Sequence, residues 1–252
     1  MILLLGGTAD TNEVALALVQ NGFSVLVSTA TTHPLSLALH PQIQKRSGEL
    51  NRDSLADIIV QRRITAVVDA THPYAEKIGL MARDVTQRLS IPCFRYLRPA
   101  SLTDSRDVMT IAGHESAAEA AFAIGAPVLL TIGALNVAPY AVKAKETHIP
   151  LVARVLDRIE SIDACLKAGL PKDRIIAAQG PFSVADNIAL IRRFNIGVLV
   201  TKDGGKKGGF PEKLEAARQT GCKVVVVQRP VSSNLPLHTD VKSLMRKMKQ
   251  VP

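Results

Sequence analysis

The sequence has no tryptophan and only three tyrosines in 252 residues. A β-sandwich packed on aromatic side chains is therefore a poor description of it. Cysteine is scarce as well. Cys93, Cys165 and Cys222 are odd in number, far apart and never in a C-x-x-C pair. That argues against both a disulfide framework and a zinc ribbon. Each cysteine lies beside an apolar, strand-like run, where it serves as a small buried hydrophobe. Long apolar runs are missing. Only Ile2–Leu5 precede the first glycines, too few for the core of a signal peptide. No stretch reaches the ~20 residues that span a bilayer as a helix. A cytoplasmic protein without a membrane partner is expected. Acidic residues are outnumbered, and the net charge is +9. A basic balance favours acidic partners. The basic residues are scattered and aromatics are only 4% of the chain, so stacking surfaces for nucleic acid are lacking and no nucleic-acid partner is expected.

What is present is a chain that can bury a core, with 47% hydrophobic and 21% charged residues. Strand-like and helix-like runs alternate throughout. Strands are expected at Ile2–Leu5, Ser24–Ser28, Ala66–Asp69 and Cys93–Tyr96. Helices are expected at Asn12–Gln20, Arg52–Arg63 and Ala75–Leu89. The rhythm then restarts. Strands are expected at Val108–Ile111, Val128–Ile132, Leu151–Val155, Ile175–Ala178, Val198–Lys202 and Val224–Val227. Helices fall at His114–Ile124, Ile159–Lys167, Ser183–Phe194 and Pro211–Thr220. A basic amphipathic helix, Asp240–Lys249, ends the chain. This is the βαβ pattern of α/β folds with parallel sheets. The polar segment Leu97–Arg106 is the best boundary. The expectation is two Rossmann-like lobes, 1–99 and 100–230, with a ligand cleft between them. Residues 231–252 form a terminal segment packing on either lobe.

Three clusters carry chemistry. In "LLLGGTAD", Gly6, Gly7 and Thr8 join a strand to a helix and end at Asp10. Free backbone N–H groups and the helix dipole there suit a phosphate. The dinucleotide fingerprint G-x-G-x-x-G is not matched, and no G-K-[ST] follows. The second strand ends "VLVSTATTH". Ser28 and Thr29 stand where an acid would hold a ribose 2′-hydroxyl, which mildly favours NADPH over NADH. No arginine is adjacent in sequence. In "VVDATHPYAE", Asp69, Ala70 and Thr71 lie at a strand's carboxyl end, with Asp69 and Thr71 placed to cap the next helix. His72 and Tyr74 line the same mouth. No second His or Cys lies at ligand spacing, so no metal site is expected. In "VTKDGGKKGGFPEK", Asp203 follows Lys202. Gly204, Gly205, Gly208 and Gly209 interleave with Lys206 and Lys207 just before a helix N-terminus. Gly133 in "TIGALN", Arg154 in "ARV" and Gln179 in "QGPFS" follow other strands.

Taken together, the chain resembles the precorrin-6A reductase family of corrin biosynthesis. The matching stretches are "LLGGTAD", "VVDATHPYA", "CFRYLRP", "TIGALN", "QGPFS", "LVTKDGGKKGGFPEKLEAA" and "VVVVQRP", in the family's order and across nearly the whole chain. The departures are Asp10 for the family's usual Glu, Tyr74 for Phe and Gly204 for Ser. An S-x-A-G-R stretch after the second strand is also missing.

The resemblance implies NADPH-dependent reduction of one double bond of precorrin-6A, or of its cobalt-bearing counterpart, to the 6B form. It assigns NADPH to Gly6, Gly7, Thr8, Asp10, Ser28, Thr29, Asp69, Ala70 and Thr71. The carboxylates of the tetrapyrrole fall to Arg98, Gly133, Arg154, Gln179, Lys202, Gly204, Gly205, Lys206, Lys207, Gly208, Gly209 and Arg229. Asp203, His72 and Tyr74 are the candidate proton donors. Neighbouring corrin-pathway enzymes are the implied protein partners. Two other classes stay open: a dinucleotide sensor without turnover, and an S-adenosylmethionine-dependent methyltransferase.

Overall fold

The structure, a computed structural model, describes residues 1–31, 37–99, 108–230 and 236–251. The chain forms two compact units. Met1–Pro99 and Pro230–Pro252 make the first, and Ala100–Arg229 the second. Part of the boundary segment, residues 100–106, lies outside the described residues, as do 32–36 after the second strand.

The first unit holds strands β1 (Ile2–Leu5), β2 (Val25–Thr29), β3 (Ile43–Ser47), β4 (Ala66–Asp69), β5 (Cys93–Tyr96) and, from the end of the chain, β12 (Leu237–His238). All pairs are parallel, in the order β12-β5-β4-β1-β2-β3. The residues of β1, β2 and β4 are buried throughout, as strands covered on both faces require. Helices α1 (Thr11–Gln20), α2 (Arg52–Gln61) and α3 (Glu76–Arg88) connect them. Asn51 and Ser54 close a reciprocal capping box on α2, satisfying amides that a helix start leaves open.

The second unit repeats the plan. Its strands are β6 (Val108–Ile111), β7 (Val128–Leu130), β8 (Leu151–Val155), β9 (Ile175–Ala177), β10 (Val198–Lys202) and β11 (Lys223–Val227). They are parallel in the order β6-β11-β10-β7-β8-β9. Helices α4 (His114–Ala123), α5 (Ala138–Thr147), α6 (Ile159–Lys167), α7 (Val184–Arg193) and α8 (Phe210–Thr220) accompany them. Both sheets therefore share one spatial order. The outermost strand at one edge is the last strand of the first unit, β12 beside β5, and the first strand of the second, β6 beside β11.

The terminal segment belongs to the first unit. β12 lies beside β5, with Arg95 N–H donating to the Pro236 carbonyl at 3.0 Å and Leu97 N–H to that of His238 at 2.9 Å. Helix α9 (Val241–Met248) is held by Asp240, whose side chain accepts from Ser243 N–H at 2.8 Å. Its buried Leu244, Met245 and Met248 pack with Val14, Ala15 and Leu18 of α1. Among the described residues no helix is long and apolar enough to cross a membrane. No group of three metal-ligating side chains occurs among them either.

One pair of charges is sealed inside the first sheet. Asp69 and Arg95 are register partners on β4 and β5. The carboxylate is 0% and the arginine 6% exposed. Their side chains form a hydrogen-bonded ion pair. Gly79 of α3 makes room for it, since a Cβ there would come within 3.0 Å of Asp69 Oδ2. Replacing Arg95 by Met leaves the carboxylate buried without its counter-charge. Urea unfolding should show stability falling by about 3–5 kcal/mol. A loss under ~1 kcal/mol would show that Asp69 finds other compensation.

Candidate functional site

In α/β sheets of this order, ligands bind outside the carboxyl ends of the strands where the connections change direction. In the first unit that point lies between β1 and β4. The Gly6–Thr8 turn leaves β1, and the Asp69–Tyr74 loop leaves β4. Thr8 Oγ1 donates to the Ala70 carbonyl at 3.2 Å, and Ala70 N–H donates to Leu5 at 2.9 Å. The two mouth segments are thus tied together.

The turn is built tightly. A Cβ on Gly6 would run into the Thr11 side chain, so any larger residue must displace that side chain. Gly7 has φ +112° and nothing within 4 Å of its Cβ position, a backbone glycine alone adopts freely and an open face for a ligand. The amides are not free, which corrects the expectation from sequence. Gly7 and Thr8 N–H both donate to Thr11 Oγ1 at 3.1 Å. The hydroxyl of Thr11, the first residue of α1, is within reach of both. Asp10 leads into α1 without a side-chain cap. It pairs instead with Arg98 at 3.2 Å, which offsets a negative charge beside the turn. Arg98 therefore sits with the first unit's mouth.

The Asp69–Tyr74 loop also differs from expectation. Asp69 and Thr71 do not cap α3, which begins at Glu76 after Ala75. Asp69 Oδ1 instead accepts from Thr71 N–H at 3.0 Å and Thr71 Oγ1 at 2.7 Å. Arg95 joins them, donating to Thr71 Oγ1 at 3.0 Å and the His72 carbonyl at 3.3 Å. The burial of Asp69 makes it part of an internal network, too deep for a helix start five residues beyond Thr71. His72 is exposed, Tyr74 half-buried, and their rings lie 5.6 Å apart.

At the end of β2, Ser28 and Thr29 are buried. Thr29 Oγ1 donates to the Thr31 carbonyl at 2.8 Å and meets Ser47 Oγ at 3.2 Å. Ser28 Oγ accepts from Arg46 Nη1 at 2.7 Å. An arginine is therefore adjacent in space, although none is adjacent in sequence. It arrives on β3.

The corresponding point of the second sheet lies between β7 and β10. Gly133, with φ +84°, follows β7. Lys202 ends β10, and Asp203 and the glycine loop follow. Asp203 is 4% exposed. Its Oδ1 accepts from Gly205 N–H at 2.9 Å and from Arg229 Nη2 at 3.4 Å, and its carbonyl accepts from Arg229 Nε at 2.9 Å. Arg229 thereby pins the loop from the end of β11. Gly204 and Gly205 are buried, while Lys206, Lys207 and Gly208 are exposed in a short turn. Gly209, at φ +67°, leads directly into α8. Gln179 is exposed just beyond β9.

Positive charge is concentrated at this end. Arg154 is buried and its guanidinium lies 3.8 Å from the centre of the Phe182 ring. Burial lowers its pKa to about 10. Burial also lowers that of Lys202. Lys213, which the sequence did not single out, lies in the first turn of α8 and reaches the Gly208 carbonyl at 3.4 Å. Burial and then the charge of Arg154 lower its pKa to about 8. His114 was likewise missed. It meets Tyr140 Oη at 3.1 Å, and burial followed by the charge of Lys202 lowers its pKa to about 4. Exposed Leu135, Leu156 and Ile159 follow β7 and β8 at the same end. Of the three proposed proton donors, His72 and Tyr74 belong to the first unit and Asp203 to the second.

Comparison with known proteins agrees with this architecture. The family model described as precorrin-6x reductase CbiJ/CobK matches residues 1–249. The chain is 31% identical over 231 residues to the cobalt-precorrin-6A reductase of Priestia megaterium, covering 91% of each. It is 33% identical over 230 residues to the precorrin-6A reductase of Rhodococcus erythropolis, covering 91% of this chain and 89% of that one. The solved structure titled CobK precorrin-6A reductase superposes with a TM-score of 0.76 at 24% identity, over 99% of this chain and 96% of that one, and so shares its fold. By sequence over nearly its whole length, and by the architecture that carries these motifs, the chain belongs to the precorrin-6x reductase family.

Proposed function

We propose that the chain uses NADPH to reduce one double bond of the precorrin-6A macrocycle, with or without cobalt in the ring, yielding the 6B form. One observation carries the reading. The first sheet offers a glycine turn with no acid at the end of β2, and the second gathers Arg154, Lys202 and Lys213 around a glycine loop. The first arrangement suits a phosphorylated dinucleotide. The second suits a ligand bearing several carboxylates.

The residues of the first unit fit the cofactor. Gly7 leaves a face open for a phosphate, the start of α1 points its dipole there, and Arg98 offsets Asp10. When bound, the nicotinamide supplies a hydride to one carbon of the substrate double bond. The chain orients and excludes water; hydride transfer depends on alignment of the reacting carbons more than on a nucleophile.

In the second unit, Arg229 and Gly205 N–H hold Asp203, and this fixes the loop carrying Lys206 and Lys207. Half-buried Lys202 and buried Arg154 meet carboxylates with little competing water, where such pairing is strongest. Leu135, Leu156 and Ile159 suit the apolar faces of a macrocycle whose rim is charged. Neutral His114 adds no charge at physiological pH. The second hydrogen arrives as a proton on the neighbouring ring atom, from Asp203, His72, Tyr74 or water. Neighbouring enzymes of the same pathway are the natural recipients of the product.

Two measurements test this. Mixing enzyme, NADPH and precorrin-6A should oxidise one NADPH per macrocycle, with a matching change in the tetrapyrrole spectrum. Running the cobalt-bearing substrate alongside identifies the branch. Cofactor binding without turnover on either would favour a sensor, and binding of S-adenosylmethionine alone a methyltransferase. Single-turnover reduction should slow at least ~100-fold in Asp203→Asn if that group gives the proton; a near-normal rate excludes it. The second measurement is pH dependence. Lys213 carries its charge below about pH 8 and loses it above. KM for the polycarboxylate should rise as pH climbs through that value, and Lys213→Met should abolish the rise. An identical profile in the variant removes Lys213 from substrate binding.

A further inference from the structure

We infer that Arg46 is the residue through which the first unit distinguishes a 2′-phosphorylated dinucleotide from one with a free 2′-hydroxyl. The inference rests on the dinucleotide reading above and specifies how that site selects its ligand.

With the pyrophosphate at the β1 turn, the adenosine ribose falls at the carboxyl end of the adjacent strand, which is β2. An acid there would accept a hydrogen bond from the 2′-hydroxyl and repel a phosphate. Ser28 and Thr29 occupy the place instead. The parallel register sets Arg46 of β3 directly beside Ser28. Nη1 donates to Ser28 Oγ at 2.7 Å and to the Gly48 carbonyl at 3.1 Å, and Nη2 points toward the Ser47 carbonyl at 3.4 Å. These neutral partners aim the guanidinium without cancelling its charge. Among the described residues no carboxylate forms an ion pair with it. Gly48 lies close against the fork, its Cβ position 3.3 Å from Nη2. Gly48 N–H also donates to the Thr29 carbonyl at 2.9 Å, which joins the ends of the two strands. The result is a half-buried cation held against the Ser28 hydroxyl and the backbone carbonyls of Ser47 and Gly48. A phosphate monoester takes two charge-assisted hydrogen bonds from such a fork and further ones from hydroxyls. A bare ribose hydroxyl gains little from it.

The experiment is equilibrium binding of NADPH, NADH, 2′,5′-ADP and 5′-AMP to the full chain and to Arg46→Gln, by calorimetry. The unmodified protein should prefer NADPH to NADH, and 2′,5′-ADP to 5′-AMP. In Arg46→Gln the affinity for the two 2′-phosphorylated ligands should fall about 10- to 100-fold. NADH and 5′-AMP should stay within about twofold, since the substitution touches no group they share. Arg46→Lys, which keeps the charge and loses the fork, should fall between. A matched melting temperature separates loss of selection from loss of fold. If it drops in Arg46→Gln, the ratio of NADPH to NADH affinity still reads the selection. Retained preference in Arg46→Gln overturns the inference and leaves the dinucleotide reading standing. Failure of the unmodified protein to bind any dinucleotide overturns both.

Discussion

The first unit is organised around a buried ion pair. Asp69 and Arg95 face each other across neighbouring strands, almost entirely out of water. Two isolated charges in that place would be prohibitive. Paired, and with the remaining valences filled by Thr71 and the His72 carbonyl, they become a rigid joint. The joint decides how the chain leaves β4. It turns Asp69–Tyr74 into a fixed loop, presents His72 and Tyr74 at the mouth, and places the Ala70 carbonyl where Thr8 donates to it. The glycine turn after β1 is thus oriented by charges on β4 and β5. The small residue at Gly79 is part of the same construction.

The second unit meets a different problem, an excess of positive charge. Its sheet has the same strand order, yet its carboxyl end is dominated by cations. Among the described residues there, Asp203 is the acid buried as a whole, and Arg229 holds it through both its side chain and its main chain. Arg154 is shielded by an aromatic face, and Lys202 and Lys213 are depressed by burial. Holding several like charges together costs stability. The two units therefore divide the work: a tight, nearly neutral turn in one, and a cationic basin in the other.

Much of this was readable from sequence because most strands are short, largely apolar runs set between helix-like segments. β1, β4, β5, β6, β8 and β10 fall at the expected residues. The missed elements lacked that signal. β3 is an edge strand reading Ile-Gln-Lys-Arg-Ser, with one apolar side chain. β12 is two residues long and is recruited only because β5 offers an open edge. α5 has a single fully buried residue, Tyr140. The glycine motifs fall just after β1 and β10, but their partners come from far along the chain. Arg46 reaches Ser28 only through strand pairing. Arg95 reads as a polar residue in a short strand until its partner is seen. Thr11 takes the amides that the glycine turn promised to a ligand, since a local hydroxyl competes for free N–H groups. Spacing along the chain shows which segments meet the ligand end of a sheet; only pairing in space shows which charges accompany them.

The central claim is that a nicotinamide dinucleotide sits at the β1–β4 mouth of the first unit. Hydrogen–deuterium exchange of the full chain, with and without saturating NADPH, tests it most directly. Slowed exchange in peptides covering Gly6–Thr11, Ser28–Thr31 and Asp69–Ala75, with the Lys202–Gly209 loop unchanged by the cofactor alone, is the predicted result. Protection confined to Lys202–Gly209, with the β1 turn exchanging as before, would contradict the account.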